Sequence, residues 1–465
     1  MDVILSTEFA VSRSPQLSNG TLVNFFVERQ PPEAKGQAPL FGVPGASVSA
    51  TAGTAHRGAW KFLGVQYVVS GTSLYSVSST GVVTEVGTGI TGSGRVSMAD
   101  NGSQLCIVNG AAGWIYSISG GLVQITAPAF YPANTVTFMD GYFIFDRAGT
   151  NEWFLSALYD GLTFNGLDFA SAEGEPGYVV ATVQNLQLLF IFCTDHIEIW
   201  YDAGTANFPF QRYTGGIVNY GCISPFTIVK LDGAIFFLGS DHTYYRLQAN
   251  TPLRVSTHPV EHVIEDATQI TDAFSMAWSW EGHKFVSLSM PGADRSIIFD
   301  ISTGKWHERD SVDESFNRLG MWRVSTVLMV YDDVYFGDSL SGDIGRQDWY
   351  TYTEFGNPIR GLIQTLDQHK DRKRVYCSRF EIDIQAGVGD GSGSDPQVML
   401  RRSTDGGVNW SHAQMWRSMG KIGETTKRLR WMGQGQGRQM SWQLIITDPV
   451  PRTIIGAYGD LSLGM

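Results

Sequence analysis

Four cysteines in 465 residues, with no Cys-x-x-Cys pair, exclude a disulfide framework and a cysteine-based zinc site. Cys106, Cys193, Cys222 and Cys377 are scattered and read as small buried hydrophobes in a reducing compartment. No stretch of 18 apolar residues is present, which excludes a membrane-spanning helix. The opening MDVILSTEFAVSRSPQ has no charged head followed by an apolar run, so no signal peptide is expected there. Charged residues make up only 17%, and long Ala/Leu/Glu/Lys runs are missing, which argues against a helical protein. Also missing are a GxSxG elbow, a P-loop and paired carboxylates in a recognisable frame, so catalysis has little to stand on.

What is abundant is the material of β-structure: 53 Gly, 12% aromatics and many Val, Ile, Phe, Tyr and Trp. From about Val65 to about Asp348 one sentence repeats, an apolar strand, a turn and a second strand ending in an aromatic. Instances begin at 65, 103, 140, 186, 232, 282 and 325, for example VQYVVSGTSLYSVS (65–78) and DGAIFFLGSDHTYYRLQ (232–248). A period of about 37 to 50 residues is that of a four-stranded propeller blade, which hides its apolar face only against its neighbours. The expected fold is all-β: a six- or seven-bladed β-propeller over 56–349 and a β-sandwich platform over 350–465. Residues 1–55 read as an arm whose strand near Val23–Val27 joins the sandwich, because one strand is not stable alone. The segment 201–216 reads as a rim loop, and the one helix is expected near Pro259–Ala267.

Net charge is −12, distributed unevenly. Residues 351–465 hold 15 Lys+Arg against 11 Asp+Glu, and the remaining 350 residues carry −16. An acidic body repels phosphates, which discourages DNA adhesion. The basic residues Lys370, Arg372, Lys373, Arg374, Arg401, Arg402, Lys427, Arg428 and Arg430 form a candidate docking surface for phosphate or an acidic protein; a solvated strand face is the alternative.

Four motifs invite chemistry and read better as structure. Gly87–Gly92 spells GxGxxG, but SGRVSMADNG follows where a dinucleotide site needs a helix. His258-Pro259-Val260-Glu261-His262 spells an inverted zinc-protease string, yet His258 sits at a helix edge beside Pro and no acidic helix supplies a third ligand. Ser403–Trp410 is an Asp-box, in which Asp caps backbone N–H groups of a tight hairpin and Gly takes positive φ. Asp300–Trp306 resembles the D…T…W turn that closes kelch-like blades. No catalytic residue, cofactor or metal is expected.

The opening SPQLSNGTLVNFFVER…PLFGVPG, RVSTHPVE (254–261), EGHKFVSLSMP (281–291), FDISTGKWHERDS (299–311) and WQLIITDPVPRTIIGAYGDL (442–461) together resemble the packaged-DNA stabilisation proteins of short-tailed bacteriophages, the tail hub or nozzle subunits. The resemblance spans nearly the whole chain in order. It implies a non-enzymatic virion protein made in the host cytoplasm. Six copies would ring the DNA channel below the head-to-tail adaptor and carry tailspikes or fibres and a needle, with double-stranded DNA passing without sequence-specific contact. It identifies no individual channel residue. Two rival readings remain, a propeller glycosidase or lectin and a monomeric kelch-like binding propeller. An axial pocket lined by Arg and carboxylates would favour the first, and a blocked or apolar axis the hub.

Overall fold

The computed structural model describes residues 2–205, 208–370, 373–389, 394–411 and 415–464. Among them, seven four-stranded antiparallel units are arranged as the blades of a propeller, five as separate sheets and two as parts of larger sheets. Their innermost strands are His56–Phe62, Ser97–Asp100, Val136–Met139, Val179–Asn185, Val229–Leu231, Phe274–Trp280 and Val324–Val330. Local chemistry explains each blade. In six of the seven blades the turn after the innermost strand holds two consecutive left-handed residues, as at Asp140–Gly141 (φ 49° and 94°) and Asp232–Gly233 (φ 57° and 71°). That geometry matches the right-handed twist of the flanking strands, and the Asp-Gly pair favours it. The six earlier instances of the repeat are the second and third strands of blades 1 to 6. The instance beginning at 325 covers the first and second strands of blade 7 instead, Val324–Val330 and Asp333–Asp338.

Neighbouring blades bury a shared apolar cluster. Phe62, Leu74, Ile107 and Trp114 lie between blades 1 and 2, and Ala181, Phe192, Ile197 and Phe237 between blades 4 and 5. The seam between blades 7 and 1 is built from smaller residues, Ala50, Ala52, Val68, Val77 and Ile344 with Tyr335. Hydrogen bonds reinforce it: Tyr331 Oη donates to the Val77 carbonyl (2.7 Å), and Ser325 Oγ to the His56 carbonyl (2.9 Å).

Within residues 1–55 the pairing changes along the chain. Leu22–Val23, Phe25–Val27 and Leu40–Gly42 enter the sandwich, whereas Gly45–Thr51 pairs with Asp343–Asp348 as the outermost strand of blade 7. Two segments about 295 residues apart therefore close the ring. The expectation of a rim loop at 201–216 is corrected: Ile197–Asp202 and Phe210–Val218 are the outer strands of blade 4. An outermost strand needs only backbone pairing on one side, so Gln211–Gly215 stays exposed without an apolar alternation.

The sandwich stacks two sheets over Phe380, Trp431 and Trp442, with Phe380 and Trp442 stacked at 4.9 Å. One sheet runs Leu429–Gly437, Val375–Ile384, Thr453–Leu463, Leu40–Gly42, Phe25–Val27. The other runs Met415–Ser418, Gln397–Ser403, Ser441–Ile446, Gly361–Gln364, Leu22–Val23 and then continues without a break into Lys305–Val312, the outer strand of blade 6. Val23 pairs with Leu362 on one side and Glu308 on the other. Asn24, held at φ 56°, donates to the Asp310 carbonyl (3.0 Å) and the Arg360 carbonyl (2.9 Å), locking that junction. The arm's first residues staple it again. Asp2–Val3 pairs with Thr453–Leu463, and Phe9 is buried beside Tyr244, Ile264 and Trp306 in the core of blades 5 and 6.

The junction strand carries a buried imidazole. His307 packs edge-on against Phe285 (5.9 Å), and burial, with Arg309 and His283 adding and Asp300 opposing, pushes its pKa down to about 3. In the unfolded chain it titrates near 6.5. Below that pH the unfolded state binds the proton and the folded state refuses it. Stability should therefore fall by about 1.4 kcal/mol per pH unit as pH drops from 6.5 towards 3. His56, likewise depressed by burial, adds to this limb. Chemical denaturation from pH 7 to 4 should show a flatter profile for His307→Gln than for the parent chain; parallel profiles would disprove the assignment.

Candidate functional site

Two surfaces could carry function, the basic face of the sandwich and the propeller axis. The nine basic residues do not form one patch. Lys370, Lys373 and Arg374 are exposed, and the Lys373 N–H donates to the Lys370 carbonyl (3.0 Å); Arg372 lies outside the described residues. Arg428 and Arg430 lie towards the other end of the strand Val375–Ile384, roughly 20 Å away at 3.3 Å per residue. There Arg430 pairs with Glu381 (2.8 Å) and Arg428 approaches it (3.9 Å). Arg379, which the sequence reading missed, lies 4.0 Å from Glu381 and 3.0 Å from Asp460. Its signal was the alternation of Val375–Ile384, interrupted by a bulge between Cys377 and Arg379 that moves Arg379 to the outward face. Lys427 is tied to Glu424 (3.2 Å) and Ser418. Arg401 and Arg402 are successive on one strand and so point to opposite faces; Arg402 donates to the Gly433 carbonyl (3.0 Å).

Glu381 thus gathers three guanidinium groups in a row of cross-strand neighbours, Arg430, Glu381 and Tyr458. The adjacent row is Met432, Arg379 and Asp460. Met432 (66% exposed) stands beside Arg379, which makes the face mixed in character. Among the described residues Lys370, Lys373 and Arg374 form no ion pair.

Innermost strands of all seven blades line an axial cavity of about 500 Å³. Its walls are Ser97, Met98, Ala99, Thr137, Val183, Ala277 and Val327, with few charges. Arg95 spans from blade 2 towards the far side, its guanidinium 3.9 Å from the Phe274 ring centroid and its Nη2 donating to the Ser325 carbonyl (2.7 Å). Burial lowers its pKa to about 10. The one carboxylate, Asp100, accepts the Trp60 indole N–H (2.8 Å). A carboxylate-bearing substrate would need an open arginine cluster, and Arg95 is already committed to an aromatic face and a carbonyl.

The four motifs fall into structural roles. Gly87–Gly92 ends a strand and enters a turn; Gly89 and Gly92 take positive φ. Arg57 donates to the carbonyls of Gly94, Gly71 and Thr91 around this turn. In the helix His258–Glu265, burial opposes ionisation of Glu261, but Arg254 (2.7 and 2.6 Å) and Ser256 (2.7 Å) hold its pKa below the usual range. A carboxylate so engaged is poorly placed to act as a general base. Among the described residues no group of three or more His, Cys, Asp or Glu side chains could hold a metal ion. Asp405 accepts the Asn409 N–H (2.9 Å) and the Ser403 hydroxyl (2.7 Å), and the turn receives Asn19, whose Nδ2 donates to the Gly406 carbonyl (3.0 Å). Asp300 accepts the Ser302 N–H (2.9 Å) and the Thr303 hydroxyl (2.8 Å), while Trp306 is buried with its indole N–H on the Val255 carbonyl (2.9 Å).

No curated protein matches the chain. Among solved structures it is similar to the computationally designed Ika8 protein, at 11% identity over 65% of this chain and 99% of that one, with a TM-score of 0.38. PorZ, a surface component of the type-IX secretion system of Porphyromonas gingivalis, matches at 11% identity over 70% and 45%, with a TM-score of 0.37. The N-terminal domain of Nup159 matches at 10% identity over 65% and 90%, with a TM-score of 0.36. A family model described as bacteriophage P22 Gp10, beta-propeller, matches residues 5–352, and one described as bacteriophage P22 Gp10, beta-sandwich, matches residues 363–460. The chain belongs to the bacteriophage P22 Gp10 family, structural proteins of the phage particle that stabilise packaged DNA.

Proposed function

We propose that this chain is the hub or nozzle subunit of a short phage tail. Six copies ring the channel below the adaptor, help to retain the packaged genome and carry tailspikes or fibres and a needle. The observation that carries this reading is the continuous ten-stranded sheet that fuses blade 6 to the sandwich through Leu22–Val23. A fused sheet transmits load between two modules without a hinge, which suits a part held under the pressure of packaged DNA. The acidic body suits a channel wall, because duplex DNA slides past carboxylates without exchanging counterions for lysines. Lys370, Lys373 and Arg374, which form no ion pair among the described residues, suit an acidic patch on the adaptor. The axial cavity, with Arg95 stacked on Phe274 and a single carboxylate already bonded to Trp60, favours a scaffold over a sugar-cleaving propeller.

Electron microscopy of the particle that carries the chain is the direct test. Six copies below the adaptor, with the sandwich towards it, are expected; any other location overturns the reading. Charge removal is the second test. Replacing Lys370, Arg372, Lys373 and Arg374 together by Gln should weaken adaptor binding at least about tenfold at low salt, the effect of losing several surface charge contacts. Unchanged binding would remove these four residues from the interface.

A further inference from the structure

The turn joining the first two strands of each blade lies on one face of the propeller, and contacts link the turns around it. Asn185 Nδ2 donates to the Gly233 carbonyl (3.2 Å), Lys284 pairs with Asp232, and the Ser279 N–H meets the Met329 sulfur (3.4 Å). Where blades 6, 7 and 1 meet, these turns enclose a groove of about 510 Å³. Trp280 and Met329 form its apolar wall; Trp280 is braced from behind by Trp349 at 5.3 Å. Its charged groups are Glu281, Asp332, Asp333 and Lys61, of which Asp333 is paired with Arg346 (2.9 Å). Glu281 and Asp332 are exposed and make no ion pair among the described residues.

Backbone conformation sharpens the case. Glu281 (φ 46°), Tyr331 (φ 56°) and Asp332 (φ 61°) occupy the left-handed region, as does Leu63 (φ 50°), two residues beyond Lys61. Glycine or asparagine would hold such turns with less strain. Leu63 and Met329 are also large apolar side chains left exposed, at 54% and 46%. Two exposed acids and an exposed methionine beside one aromatic wall form a mixed surface open to contact.

We infer that this groove docks a cationic segment, an arginine- or lysine-bearing loop, of a partner protein. The partner-protein identity rests on the reading of the chain as a virion subunit. Charge decides the occupant: with Asp333 neutralised by Arg346, the two unpaired carboxylates Glu281 and Asp332 face the single lysine Lys61, so the groove favours a cation over an anionic loop or a phosphate. Aromatic and thioether surface suits the aliphatic stem and the guanidinium plane of arginine, and the two unpaired carboxylates suit its N–H groups.

Fluorescence anisotropy with the purified full chain tests this, using a fluorescein-labelled peptide with two arginines in a glycine–serine background. A glutamate-bearing peptide of the same length serves as the control. The arginine peptide should bind saturably and lose affinity as salt rises, and the glutamate peptide should not bind. Glu281→Gln with Asp332→Asn should weaken binding at least about tenfold, the loss expected for two charge-assisted contacts. Both amides tolerate the turns, so thermal stability should not change. Lys61→Glu should tighten binding several-fold. Equal binding by parent and double variant, equal binding of both peptides, or no saturable binding would each overturn the proposal. None of these outcomes bears on the hub reading, which stands or falls with the location of the chain in the particle.

Discussion

Deleting residues 2–51 should leave neither module able to unfold cooperatively, although the deletion removes no catalytic group and only about a ninth of the chain. The segment supplies three buried phenylalanines to three different cores: Phe9 to blades 5 and 6, Phe25 to the sandwich, and Phe26 to the cluster around Trp278 and Phe285. Losing one buried phenylalanine costs about 3–5 kcal/mol, so together they approach the whole stability of an ordinary domain, about 5–15 kcal/mol. The deletion also removes Leu22–Val23, which joins the sandwich to blade 6, and Gly45–Thr51, which completes blade 7. A broad, low-amplitude calorimetric transition is expected in place of a sharp one. A sharp transition at the parental temperature would show that the arm is dispensable. Gly345→Val is the milder form of the same test. A Cβ at Gly345 would lie 2.8 Å from the Ala46 Cβ and 2.8 Å from the Phe355 ring, so the closing strand must move. A loss of about 1–3 kcal/mol is expected, with new protease cutting near 45–51.

The second large effect is at Glu354. Its carboxylate is buried and accepts the Trp322 indole N–H (2.5 Å) and the Ser311 hydroxyl. Facing it, Arg309 is buried with its guanidinium 4.5 Å from the Trp322 ring centroid, and its Nε and Nη2 have no hydrogen-bond partner. Burial pushes the Arg309 pKa down to about 10 and the Glu354 pKa up, while each charge favours the ionised form of the other. Glu354→Gln keeps the shape but leaves a buried cation uncompensated, a change that costs about 3–5 kcal/mol. Adding Arg309→Met removes that cation and keeps an aliphatic stem between the tryptophans. The double variant should therefore be more stable than Glu354→Gln alone, with a coupling of about 2 kcal/mol or more in a denaturation cycle. Additive losses would mean that Arg309 is held by its aromatic neighbours and not by Glu354. The site matters because Arg309 lies on the strand that joins propeller to sandwich, so a weakened junction should separate into two unfolding transitions.

Much of the fold was legible in the residues. Hairpins such as Val65–Ser70 with Ser73–Val77 announce themselves through alternation and glycine turns, because their partners lie a few residues away. The Asp-box and the Asp300–Trp306 turn were legible as caps for the same reason. The candidate surfaces were less legible. The basic residues 370–430 look like one cluster in sequence, yet cross-strand pairing divides them and brings in Arg379, Glu381 and Asp460. The groove at Trp280 draws on Lys61, Glu281 and Asp332, which no linear motif connects.

Residues alone determined the blade, its repeat, the all-β class and the charge imbalance between propeller and sandwich. Those properties follow from period-two burial and turn chemistry, which act over a few residues. Tertiary structure decided how the ring closes, which strand fuses it to the sandwich, and where acids and aromatics meet. Pairing Ala46 with Gln347, or Val23 with Glu308, is selected by shared core burial and register across some 300 residues, and nothing in either segment's composition specifies its distant partner.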